Sequence, residues 1–292
     1  MTLFNRRFVA VCLLAVAVVA MASSPLHGQW PVGQGNYWVK ASFFNHQTAQ
    51  QFRSNGDKRD FLAVDAESRS NALFLDALIG VTDRLDLWVQ APYFDLSFDD
   101  AAGDRNSKGV GDIRLSARYT LFQLRGGSIP VSARFTAKVP VADLTIDAEV
   151  IPVGEGQWDY ETWLESGISL WPLPLYSVVW LGYRWRTLNE ETTREPGDEV
   201  TFLAEFGGTG WVGGLGGKVV LDGIFGRAGV IQGIQLGPDD RREILYVAPT
   251  AIYGFTPETM LEVGVRIPLR GRNFPAGAPL QIGLFHQGSL FD

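Results

Sequence analysis

The stretch Asp112-Ile113-Arg114-Leu115-Ser116-Ala117-Arg118-Tyr119-Thr120-Leu121 has two parities of opposite character. Ile113, Leu115, Ala117, Tyr119 and Leu121 form one set; Asp112, Arg114, Ser116, Arg118 and Thr120 form the other. Successive side chains of a β-strand point to opposite faces, so this is a ribbon with one oily and one charged side. The pattern recurs. Val131, Ala133, Phe135, Ala137 and Val139 alternate with Ser132, Arg134, Thr136 and Lys138. Val179, Leu181, Tyr183 and Trp185 oppose Arg184 and Arg186, and Leu261, Val263, Val265, Ile267 and Leu269 oppose Glu262, Gly264 and Arg266.

Read this way, the chain carries about twelve strands, near 36–48, 69–82, 84–96, 109–122, 129–140, 157–171, 175–188, 198–211, 213–226, 241–255, 257–270 and 277–288. Alternation is weak in the ninth and tenth, and Pro249 marks a bulge or an end there. The connections sort by parity. Those at 82–84, 172–174, 209–210 and 256–258 are tight, and the one around Gly126-Gly127 is somewhat longer. Those at 49–68, 97–108, 141–156, 189–197, 227–240 and 271–276 are long and polar. Short turns at one end and long loops at the other are the habit of outer-membrane barrels, with both chain termini at the periplasmic, short-turn end. A soluble sandwich has no reason to sort its loops. The expected fold is all-β: a transmembrane, antiparallel, up-and-down barrel.

Aromatics fit that placement. Tyr37, Tyr119, Trp171, Tyr176 and Trp211 fall near the periplasmic ends, and Tyr93, Trp158, Tyr160, Tyr183, Trp185 and Tyr246 towards the outer ends. Two such girdles flank the apolar band of membrane barrels.

The N-terminus reads as an export signal. Asn5-Arg6-Arg7 precedes the apolar run Phe8 to Val19, and Ala20-Met21-Ala22 is a small-x-small cleavage site. The expected organisation is a signal peptide at 1–22, a periplasmic segment at 23–35 and the barrel at 36–292. The chain's one Cys, Cys12, lies in the leader, so no disulfide or thiolate site follows it. A net charge of −7 without basic runs argues against nucleic acid as a partner.

In lipid, the charged parity must turn inward. The residues expected to line the lumen are Asp112, Arg114, Arg118, Arg134, Lys138, Asp159, Glu161, Glu165, Arg184, Arg186, Glu205, Glu262 and Arg266. Asp76 and Asp86 belong to the same face, with Glu161 and Glu165 answering the cations of the strands on either side. Twelve strands ~4.8 Å apart and tilted ~40° give a backbone diameter of roughly 24 Å, wider than a filled eight-stranded barrel and narrower than a porin. Such a lumen is either a conduit for a small solute or a barrel filled by its own paired charges.

Catalytic and metal chemistry are not indicated. His27 lies beside the cleavage site, and His46 and His286 fall at opposite heights of neighbouring strands, so they share no metal. A lipid-active enzyme would need an acid or Ser beside His46, and no G-x-S-x-G motif occurs. The run Gly207 to Gly214 lacks the Lys of a phosphate loop, and Asp99-Asp100 to Asp104 lacks EF-hand spacing. No cofactor is expected.

Several short motifs, in order, carry a resemblance: Gly109-Val110-Gly111-Asp112-Ile113-Arg114-Leu115 through Arg118-Tyr119, then Ala137-Lys138-Val139-Pro140, then Pro152 through Gly156-Gln157-Trp158-Asp159. Leu181-Gly182-Tyr183-Arg184 and Asp198-Glu199 continue it. Over roughly residues 80–210 the chain resembles the outer-membrane barrel family of the meta-pathway of phenol degradation, whose members are described as transporters. The resemblance implies a barrel in the bacterial outer membrane passing small solutes, aromatic or apolar ones among them, and no enzyme. The expected partners are outer-membrane lipid, a small-molecule solute and the barrel-assembly machinery. That machinery reads a terminal aromatic, which here would be Phe291, one place before the end. The alternatives are a plugged structural or binding barrel that displays its loops, a lipid-active enzyme, and a soluble periplasmic β-protein.

Overall fold

The computed structural model describes residues 30–142 and 152–291. The expected signal peptide and His27 lie outside the described residues. The strands are β1 (Asn36–Thr48), β2 (Glu67–Gly80), β3 (Leu85–Asp100), β4 (Gly103–Val110 continued by Ile113–Leu124), β5 (Ile129–Val139), β6 (Asp159–Ser169), β7 (Tyr176–Arg186), β8 (Glu199–Gly208), β9 (Leu215–Gly226), β10 (Glu243–Gly254), β11 (Thr259–Val265 continued by Ile267–Arg272) and β12 (Leu280–Ser289). Each pairs antiparallel with its sequence neighbours, and β1 pairs with β12, so the sheet closes into a twelve-stranded barrel. Closure leaves no edge, which is the one way a sheet satisfies its backbone in hydrocarbon.

The outer wall is apolar. Leu75, Leu115, Phe135, Leu164, Val179, Leu181 and Val263 are all exposed at alternate positions of their strands. Aromatics end this band. Towards the long loops, Tyr160 stacks between Phe135 and Trp158, and Tyr183 packs edge-on against Trp185 at 4.9 Å. Tyr119, Trp171, Trp211, Tyr253 and Phe255 are exposed at the short-turn end. Two aromatics assigned to the girdles instead face inward: Tyr176 and Tyr246 are 9% and 6% exposed. Their parity places them among inward charges, where each hydroxyl or ring has a polar neighbour.

Several segments depart from the expected loop pattern. Residues 97–108 form no long loop: β3 and β4 run on as a paired ribbon, Asp95↔Lys108 to Asp100↔Gly103, turning at Ala101-Ala102. Ser, Lys, Asp and Arg within that ribbon mask it as a loop, although backbone pairing tolerates them once both faces are wet. The acidic tip pairs with itself, Asp100 accepting from Arg105 and from the Ala102 amide. The loops at 49–66 and 273–279 are joined by a small sheet of Gln50–Phe52, Lys58–Asp60 and Phe274–Pro275. That sheet carries Phe52 into a buried cluster with Ile244, Tyr246 and Ala276.

At the other end, Trp30 to Gly35 folds against the inside of the barrel. Val32 is 5% exposed and packs with Trp38, Leu78, Ile252, Met260 and Phe285. The close approach is possible because Gly80 has no side chain: a Cβ there would lie 1.9 Å from the Gly33 carbonyl oxygen.

Leu164 stands at the middle of β6 with 54% of its surface on the outer wall. Leu164→Arg will lower unfolding stability in lipid bilayers by about 2–4 kcal/mol, as measured by reversible denaturant titration. An equal stability would mean that this face does not meet hydrocarbon.

Candidate functional site

The barrel interior has two unlike walls. On β3 to β8 it is a continuous band of paired charge. Its lower part joins Arg118, which donates to Asp86 at 2.7 and 2.9 Å and to the Trp30 carbonyl at 3.2 Å, with Arg134, which donates to Glu165 at 2.5 Å. In the middle, Glu161 accepts from Arg114 at 2.6 Å, from Arg184 at 2.7 Å and from the Trp163 indole at 2.9 Å. Towards the long loops, Lys138 lies 3.1 Å from Asp112, 2.6 Å from Glu155 and 3.0 Å from Asp159. Arg186 reaches Glu155 and Asp159, and Glu199 accepts from Arg184 and Arg242.

These are charge-assisted bonds, most of them between side chains closed off from bulk water. Asp86, Asp159, Glu161, Glu165 and Glu199 are 0–1% exposed. A carboxylate so buried is tolerable only when its partners are in place. The loop residue Glu155 makes the balance visible. Burial pushes its carboxyl up, yet Arg186, Lys138 and Arg242 outweigh that and hold it well below the ordinary carboxylate range.

Arg134 is further enclosed by three indoles, its guanidinium 5.0, 4.8 and 5.1 Å from the rings of Trp88, Trp163 and Trp180. Trp163 reaches this position because β7 has Gly182 opposite it; a Cβ there would sit 2.5 Å from the ring. Gly111 similarly makes room for the Phe94 ring.

The other wall, on β9 to β12, β1 and β2, is mostly apolar, with Trp38, Ala72, Leu78, Ile244, Ala248, Ile252, Met260 and Phe285 buried on it. Phe44, Phe74 and Phe94 continue it across β1 to β3 as edge-on pairs 6.4 and 6.0 Å apart. A shorter chain of charge crosses it. Lys40 donates to Glu262 at 2.6 Å, Lys218 lies 3.0 Å from Glu262 and 3.5 Å from Glu205, and the Tyr176 hydroxyl donates to Glu205 at 2.5 Å. Arg266 pairs with Asp222 and covers the Tyr246 ring at 4.4 Å.

Between the two walls is a chamber of about 270 Å³. Trp30, Trp38, Trp88 and Trp180 line it together with Tyr176, Met260 and Phe285, and Lys40, Asp76, Glu205, Lys218 and Glu262 supply its polar edge. Asp76 accepts from the Trp88 indole and from Gln90. The chamber therefore sets aromatic side chains beside charges that already have partners. Nearer the long loops, a polar hollow of about 310 Å³ is bordered by Glu155, Gln157, Arg186, Asn189, Glu199 and Arg242.

All thirteen residues expected on the inward parity point to the interior. Most of them are buried against neighbouring charges; Arg118 is 2% exposed. Glu205 and Glu262 border the chamber, and Arg186 borders the outer hollow. The sequence reading missed Lys40, Lys218, Asp222, Glu199, Glu155 and Arg242. His46 is 8% exposed, its Nε2 has no hydrogen-bond partner, and it packs against Gly277, so no acid supports it as a base among the described residues.

Glu161→Gln will leave Arg114 and Arg184 facing each other without their shared anion. A loss of about 3–5 kcal/mol is expected, read as a lowered urea midpoint of the folded barrel in bilayers. An unchanged midpoint would mean that the band is bathed in water.

The family described as "Putative MetA-pathway of phenol degradation" matches residues 43–282. No curated protein matches the chain. Among solved structures, a COG4313 outer membrane channel from Pseudomonas putida F1 superposes with a TM-score of 0.74 at 21% identity, over 91% of this chain and 99% of that one. The β domain of the Bordetella autotransporter BrkA gives 0.52 at 10% identity, over 87% and 100%. These likenesses place the chain's fold among outer-membrane barrels.

Proposed function

The chain belongs to the family of the MetA pathway of phenol degradation, and from that premise we propose that it is an outer-membrane channel through which small, uncharged solutes, aromatic or apolar ones among them, diffuse passively. The observation that carries this reading is the chamber. Four indoles border a void of about 270 Å³, and the charges beside them are already paired. An engineered apolar cavity of about 150 Å³ is enough to hold benzene, so a molecule of one or two rings fits here. A free ion gains little from the flanking charges, because each is committed to a partner; a flat apolar molecule gains the aromatic surface. The Pseudomonas putida protein of the same fold is described as a channel, which agrees with the reading.

A specific contact favours a second reading. The Trp30 to Gly35 segment closes the short-turn side of the chamber, with Val32 in the core and Trp30 bonded to Arg118. If it stays in place, the barrel is plugged and binds its solute without passing it.

Ser42 borders the chamber on β1 and takes no part in the charge band. In planar bilayers the protein should show discrete conductance, and liposomes carrying it should take up a phenolic tracer. Ser42→Trp should cut both several-fold while leaving the heat-dependent gel mobility of a closed barrel unchanged. Silent bilayers with tracer still bound to the protein would put the plugged reading ahead.

A further inference from the structure

Two arginines at the long-loop end are turned towards lipid. The register of β11 against β10 shifts between Leu245 and Tyr246: Leu245 faces Arg270, and Tyr246 faces Pro268. The extra residue is Leu269, and the irregularity leaves both Leu269 and Arg270 exposed. Re-aiming one side chain is what such a bulge does. The Arg270 guanidinium lies over the outward ring of Phe225 at 5.3 Å, and Phe225 stacks on Phe202. Arg227, just past the end of β9 and also exposed, lies over the ring of Tyr183 at 6.0 Å. Tyr183, Val200 and Phe225 are register neighbours on β7, β8 and β9, so both arginines sit in one stretch of the outer aromatic belt.

Neither arginine makes an ion pair among the described residues. Of the carboxylates next to them, Asp198 accepts from the Tyr183 hydroxyl and the Arg186 amide, and Glu243 lies 3.5 Å from Arg272. A cation facing the bilayer is tolerated only near its interface, where headgroups can meet it. A guanidinium held over a ring by cation–π attraction keeps N–H groups available for a planar or tetrahedral oxyanion. We infer that Arg227 and Arg270 form a docking site for the phosphate groups of a lipid headgroup in the outer leaflet. The site is independent of whether the lumen conducts.

Binding of bisphosphorylated lipid A and of its dephosphorylated form to the full barrel in neutral detergent tests this. The wild type should prefer the phosphorylated lipid by about tenfold or more, a difference that charge-assisted bonds to phosphate can supply. R227Q/R270Q should lose that preference while keeping heat-dependent gel mobility. K58Q/R59Q, which removes exposed charge from another loop, should keep it. Equal binding of both lipids by the wild type, an unchanged preference in R227Q/R270Q, or the same loss in K58Q/R59Q would overturn the assignment. Millimolar inorganic phosphate should not displace the lipid; full displacement would assign the site to free phosphate instead.

Discussion

Hydrocarbon offers no partner for a peptide group, and from that single deficit the architecture follows. Every strand must find hydrogen bonds on both sides, so the sheet must close. Once it is closed, the wall has an oily outside and a separate inside, and each strand must alternate to serve both. The charged parity of β4, β5, β6 and β7 then has nowhere to go but inward, into a space that its own side chains largely fill. Pairing is the outcome. Arg118 with Asp86, Arg134 with Glu165, and Glu161 with Arg114 and Arg184 are consequences of closure as much as contributors to stability.

The two walls divide the work. The paired band stiffens one side of the barrel and fills it. The other side keeps small and aromatic residues, and the free volume collects along the boundary where Trp88 and Trp180 belong to both environments. A barrel with the same strand count and an evenly charged lining would hold water throughout. This one sorts its interior, which is why its void is bordered by rings.

Strand number, loop sorting and the outward parity were legible in the sequence because each rests on a local rule. Asp112 to Leu121 alternates over ten residues, and β1 falls where that rule puts it. The inward charges of β4 to β7 were legible for the same reason. Lys218 was hidden by Gly216 and Gly217, which carry no side chain to mark a face, and Lys40 by sharing its parity with Trp38, an inward aromatic that looks outward on composition alone. Tyr176 and Tyr246 were misplaced by the same ambiguity, since a tyrosine suits a membrane interface and a polar interior equally. Glu155 comes from a loop, where no periodicity applies, and Arg242 precedes β10 in the same way. The β3–β4 ribbon beyond the membrane was obscured because both its faces are wet.

The sharing of partners within the charge band has an evolutionary consequence. Glu161 serves two guanidinia, Lys138 touches three carboxylates, and Arg184 links two more. Exchange of a shared member disturbs several others at once, as Glu161 would strand Arg114 and halve the partners of Arg184, so drift at these positions is coupled into steps of two or three changes. Descendants of this barrel should swap whole clusters or none, while the oily residues one position away on the same strands vary freely.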